Sequence, residues 1–125
     1  VSDELLVQAT TAGAEVIAEE WRNQVRATRG LGPGTAHYAE AIGIRARPGK
    51  HGATAWVGLP NNVPTEEGEA HPRDYAPRLE FGGYVAGYRA AKPTLRPAFE
   101  STKVRALDAM AAKIRELIER VADLT

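Results

Sequence analysis

Residues 75–100 read YAPRLEFGGYVAGYRAAKPTLRPAFE, a stretch punctuated by glycine and proline that runs straight into an amphipathic helix. Pro97 suits the first turn of that helix, because the amide proton it lacks would have no intrahelical acceptor there. Beyond it, Phe99, Leu107, Met110, Ile114, Leu117, Val121 and Leu124 fall on helical spacing, with Ile118 beside them, so a long helix with one apolar face is expected. Glu116 and Arg120 stand four residues apart in the favourable order for a surface ion pair. Ahead of the helix, residues 75–79 fit a helical turn leading into Glu80, Phe81 and Gly82, and residues 84–88 fit a short strand.

The opposite end of the chain predicts a second long helix. Ser2 can cap it, and Asp3 and Glu4 lie where the helix dipole favours negative charge. Leu6, Ala9, Gly13 and Val16, then Ile17, Trp21 and Val25, follow three- and four-residue steps, and Arg22, Arg26 and Arg29 gather toward the end that Gly30 closes. About 27 residues at 1.5 Å each make a rod about 40 Å long. Either part of that rod packs on a neighbour, or Gly13 or the Thr10–Thr11 pair divides it. Trp21 reads as core.

Between the helices the period changes from 3.6 to 2. After a glycine-rich connector, GLGPGT at 30–35, and a short helical piece in AHYAEAI, residues Ile42, Ile44 and Ala46 alternate with Gly43, Arg45 and Arg47. RPGKHG supplies a turn, and Ala53, Ala55, Val57 and Leu59 share one face of a return strand, with Thr54 and Trp56 on the other. Trp56 therefore shares a face with the arginines, either covered by a long helix or left for a partner subunit. Residues 60–74 carry three prolines and Glu66, Glu67 and Glu69 with no periodicity, a loop of a length that points to function or to ordering by a partner. The expected class is α+β: a small antiparallel sheet flanked by a long N-terminal and a long C-terminal helix.

Composition bounds the rest. A chain of 125 residues fits one domain, 1–125, and its 16 basic and 16 acidic side chains balance, so no overall field steers it to nucleic acid or to an anionic membrane. Absence of cysteine removes disulfides and thiolate metal sites. No run approaches the roughly 18 to 20 apolar residues of a membrane span, and the start is acidic, so a soluble, unexported chain with no membrane partner is expected.

Catalytic constellations are thin. Ser2 reads as a cap and Ser101 lies in the first turns of the last helix, neither in a nucleophile elbow. His37, His51 and His71 are scattered through connectors without metal-ligand spacing, and the three glutamates of the 60–74 loop lack the order of a calcium loop. GLGPG follows a helix, whereas phosphate-cradling loops follow a strand. The reading is no enzyme, no cofactor and no metal. Arg45, Arg47 and Lys50, with His51, form a basic hairpin tip suited to a solvated face, an acidic partner or DNA phosphates.

Tyr75-Ala76, Glu80-Phe81-Gly82 and residues 92–98, KPTLRPA, followed by the last helix, resemble the tail-completion or head-tail joining proteins of long-tailed bacteriophages. The resemblance covers about the last fifty residues. It departs from the family's pattern where Gly83 follows Gly82 and Thr94 follows Pro93. It implies a virion structural protein without enzymatic activity, assembled in the host cytoplasm and seated in the neck. There a six-fold ring of copies would meet the tail terminator, the tail tube or the head connector, close to packaged DNA. A terminator or head-completion stopper of the same neck is the neighbouring possibility, and a small nucleic-acid-binding module the alternative from another class. The residues singled out are Trp56, Arg45 and Arg47 on the hairpin and Glu80, Phe81, Gly82, Pro93, Leu95, Arg96 and Pro97 in the motif. Pro93 and Pro97 stiffen the approach to the helix, and the Arg96 fork is expected to clamp a carboxylate, with Glu80 as one candidate partner.

Overall fold

The computed structural model describes residues 3–28, 35–50, 52–59, 76, 80–81, 83–84, 88–89, 91 and 93–123. Ser2, Gly30, Gly82, the 60–74 loop, His51, His71 and Leu124 lie outside them, as does the side chain of His37. The class is the expected α+β: helix α1 (Asp3–Ala27), a short helix α2 (Thr35–Ala41), a hairpin of β1 (Gly43–Gly49) and β2 (Gly52–Gly58), a second, minimal hairpin of β3 (Gly83–Tyr84) and β4 (Tyr88–Arg89), and helix α3 (Leu95–Asp123).

Helix α1 is continuous over 25 residues. The threonines do not break it, because their hydroxyls donate back to carbonyls of the preceding turn: Thr10 to Leu6 and Val7 at 3.0 and 3.1 Å, Thr11 to Val7 at 2.7 Å. Nor is Gly13 a hinge. It is buried, and a Cβ placed on it would lie 2.6 Å from Met110 Cγ and 3.0 Å from the Ala106 carbonyl oxygen. At Gly13 α3 lies in close contact with α1. Trp21, eight residues on, hydrogen-bonds Thr94, so the residue numbers run in opposite directions and the helices are antiparallel.

The face α3 turns to α1 is not the bulky stripe its spacing suggests. Its buried positions are Ala98, Thr102, Ala106 and Leu117. Met110 and Ile114 are half-buried, while Phe99, Leu107, Ile118 and Val121 are exposed. Small side chains let two helices approach where large ones hold them apart. The Thr102 hydroxyl, fully buried, donates to the Ala98 carbonyl and so brings no unpaired polar group into the contact.

Strand β1 opens one residue later than its alternation suggests. Ile42 is buried at the α2–β1 junction, where the Arg22 guanidinium donates to its carbonyl at 2.7 Å and ties α1 to the hairpin. The pairing sets Ile44 opposite Val57, Arg45 opposite Trp56 and Ala46 opposite Ala55. Ile44, Ala46, Ala55 and Val57 turn inward and Arg45, Arg47, Thr54 and Trp56 outward, as the period of two requires. The expected RPGKHG turn is tighter than six residues, since the strands run on to Gly49 and resume at Gly52, whose φ of 151° favours glycine. Helix α1 lies against both strands on one side and against α3 on the other, so it is the middle layer. The core gathers around it: Ala18, Trp21, Val25, Tyr38, Ala39, Ile42, Ala76 and Ala98, with Ile44, Val57 and Leu59 against them.

Candidate docking surfaces and the junction that orients them

The start of α3 carries the densest polar geometry in the described chain. Helices begin with amide protons that have no intrahelical acceptor. Here the Glu80 carboxylate takes them all. Thr94 N–H and Leu95 N–H donate to its Oε1 at 2.8 and 2.9 Å, and Arg96 N–H donates to Oε2 at 3.1 Å. Pro97 has no amide proton to place, and Ala98 N–H donates to the Thr94 carbonyl at 3.1 Å, the first rung of the helix. Four consecutive positions are thereby satisfied with none left over. A carboxylate at this end also meets the positive pole of the helix.

Glu80 and Arg96 do meet, but not by the expected guanidinium clamp. The donor is the Arg96 backbone, and among the described residues no ion pair joins its guanidinium to Glu80. An exposed guanidinium in water gains little from a carboxylate that already accepts from three amides.

Beneath the cap lies a buried polar node. Trp21 Nε1–H donates to Thr94 Oγ1 at 3.0 Å, and the ring of Tyr38 meets Trp21 edge-on with centroids 6.1 Å apart. Burial pushes the Tyr38 phenol above its ordinary value near 10; the charge of Glu80 adds to that, while hydrogen bonding with Thr94 and Trp21 opposes it. The folded state therefore keeps the Tyr38 proton at pH values where the unfolded chain has lost it. Stability is fully present below pH 10 and falls as pH rises through the window above it, by at most about 1.4 kcal/mol per pH unit from this group. Urea midpoints at pH 9 and pH 11 should separate more in the native chain than in Tyr38→Phe, which keeps the other three tyrosines as an internal control.

The second surface is the outer face of the β1–β2 hairpin. Arg45, Arg47 and Lys50 are exposed, and Trp56 is 44% exposed, so neither long helix covers it. The Arg47 guanidinium lies over it, its carbon 5.0 Å from the centre of the indole ring, a cation–π contact across the strands. Ile44, Arg45, Arg47, Trp56, Val57 and Leu59 border an open groove of about 530 Å³. The third surface is α3 itself, with Phe81 beside its start and Leu95, Phe99, Val104 and Leu107 along it, all exposed.

The residues singled out in the sequence therefore fall into two groups. Glu80, Leu95, Arg96 and Pro97 meet at the cap, with Pro93 exposed just ahead of it and Phe81 pointing outward. Arg45, Arg47 and Trp56 meet on the hairpin. The reading missed Thr94, Trp21 and Tyr38 as one unit. A signal existed for part of it: Thr94 is a good N-cap residue, yet Pro97 occupies the position where a local capping box needs glutamate or glutamine, so the carboxylate has to come from elsewhere. Among the described residues no group of three or more His, Cys, Asp or Glu side chains is placed to hold a metal ion, and no helix is long and apolar enough to cross a membrane. No family model, curated protein or solved structure matches the chain.

Proposed function

We propose that this chain is a structural subunit of a tailed-phage neck, of the tail-completion type, working by self-association and docking. The observation that carries the assembly reading is where the bulk is placed. Eight of the thirteen buried hydrophobic residues described are alanine, whereas Trp56, Phe81, Leu95, Phe99, Val104, Leu107, Ile118 and Val121 are exposed. A monomer that worked alone would gain by the reverse arrangement, since burying one large apolar side chain is worth about 1.5–3 kcal/mol. Tryptophan and arginine together on the hairpin add the residue types that anchor protein interfaces.

The phage neck as the place of work rests on the resemblance of residues 75–98. The Glu80 cap gives that motif a physical purpose: it locks the start of α3 to the preceding segment, and so makes the domain a stiff tile for a ring. The expected neighbours are further copies of the chain, the tail terminator, the tail tube and the head connector, in the virion.

Phage particles assembled without this chain should accumulate as filled heads and separate tails, and supplying the wild-type chain should restore joining. Infectious particles of normal yield without it would overturn the neck assignment. A nucleic-acid-binding reading draws on one observation, the exposed Arg45, Arg47 and Lys50 beside Trp56. It would be favoured by a salt-dependent shift of short duplex DNA that Arg45→Ala/Arg47→Ala abolishes.

A further inference from the structure

Helix α3 carries two apolar faces, and among the described residues only one of them is packed against another element. The second is Val104, Leu107, Ala111, Ile114, Ile118 and Val121, at steps of 3, 4, 3, 4 and 3. That is an unbroken heptad seam, with Val104, Ala111 and Ile118 at one core position and Leu107, Ile114 and Val121 at the other. Val104 is 64% exposed, Leu107 61% and Val121 50%. Ala111 is exposed as well, and Ile114 is half-buried.

We infer that this seam pairs antiparallel with the same seam of a second copy. The argument for a second copy, and for that direction, is charge complementarity. In an antiparallel pair centred between Ala111 and Ile114, Val104 faces Val121, Leu107 faces Ile118 and Ala111 faces Ile114, so every layer couples the two kinds of core position. The residues flanking the seam on one side are Asp108 and Arg115. Antiparallel pairing sets Asp108 of each copy beside Arg115 of the other, twice over, whereas parallel pairing does not bring the two together. Both are exposed, and neither forms an ion pair among the described residues. The ion pairs of α3 lie elsewhere on it, Lys103–Glu100, Lys113–Glu116 and Arg120–Glu116.

The described elements leave room for such a partner. Helix α1 meets α3 at Met110, on the flank of the seam opposite Asp108 and Arg115, so the charged flank stays open. Val104 to Val121 spans about 26 Å of helix at 1.5 Å per residue. A helix pair of that length buries on the order of 1,000 Å² in total, the low end for specific interfaces, as suits a weak, reversible dimer. Being isologous, the contact closes as a dimer and does not by itself build a ring. It leaves the hairpin free for other neighbours, and it does not depend on where the chain works.

Sedimentation equilibrium of the purified chain from 1 to 200 µM tests it. The expected mass rises with concentration toward twice 13.5 kDa. Leu107→Lys/Ile118→Lys should hold the mass at the monomer value with an unchanged helical CD spectrum, because both residues already face solvent. Asp108→Arg and Arg115→Asp should each weaken the dimer at least tenfold, and the two combined should restore it. A wild-type chain still monomeric at 200 µM would overturn the inference, as would an oligomer indifferent to Leu107→Lys/Ile118→Lys. Failure of the combined charge exchange to restore dimerisation would overturn the antiparallel arrangement. None of these results bears on head-tail joining, which is read in particles.

Discussion

Gly13→Leu should lower the stability of the domain by about 3 kcal/mol or more, the upper range for forcing extra carbons into a packed contact. The cause is the crossing of α1 and α3. A single added carbon already comes within 2.6 Å of Met110 Cγ and 3.0 Å of both Met110 Sδ and the Ala106 carbonyl oxygen. Methionine is flexible and can swing aside, but the carbonyl belongs to the helix backbone and yields only if the helices separate. Gly13→Ala is the informative control. It gains about 1 kcal/mol of helix propensity and loses the close approach, so its net effect should be small or mildly destabilising. Met110→Ala removes two of the three close atoms, and the pair Gly13→Ala/Met110→Ala should therefore be more stable than the sum of the single effects predicts. Denaturant unfolding of the four chains measures this. Strict additivity would mean that the helices do not cross at Gly13.

Glu80→Ala should cost about 2–3 kcal/mol, combining a lost cap with the loss of a charge at the helix N-terminus. The Leu95 and Arg96 amides are exposed and can turn to water, whereas the Thr94 amide is partly buried and is the expensive one to strand. Glu80→Gln should cost about half as much, since one amide oxygen can still accept while its NH₂ now faces a donor. It should also lower the pKa of Tyr38, because the charge of Glu80 is among the causes that raise it. Arg96→Ala, in contrast, keeps the backbone amide that makes the contact and should leave folding stability within about 0.5 kcal/mol of wild type. Equal losses for Glu80→Ala and Arg96→Ala in urea unfolding would restore the guanidinium clamp and refute the backbone cap.

Much of the fold was legible because two kinds of periodicity are written cleanly. The alternation from Ile44 to Arg47 and from Ala53 to Val57 settles the hairpin, its inner and outer faces and the company of Trp56 with the arginines, since a period of two leaves each side chain only two directions. The long helices were legible from caps and spacing, and Trp21 as core from its place on the α1 stripe. The cap itself was half legible. Glu80 was recognisable as one candidate partner for Arg96, but that it takes backbone amides of Thr94, Leu95 and Arg96 depends on where the segment between them turns, and pairing across 14 or more residues leaves no local pattern.

What the amino-acid order determined alone was the two long helices, the main hairpin and the face on which each of their residues lies, because these follow from backbone geometry within a few residues; the single strand expected at 84–88 is instead two short strands, Gly83–Tyr84 and Tyr88–Arg89, paired with each other. Tertiary structure decided which of two apolar faces of α3 meets α1. Hydrophobic spacing favours Leu107, Ile118 and Val121, yet with Gly13 bringing the helices close the buried positions of α3 are Ala98, Thr102 and Ala106, with Leu117 the one large side chain among them. Packing volume, a property of two surfaces together, overruled hydrophobicity, a property of each one, and left the bulkier stripe facing outward.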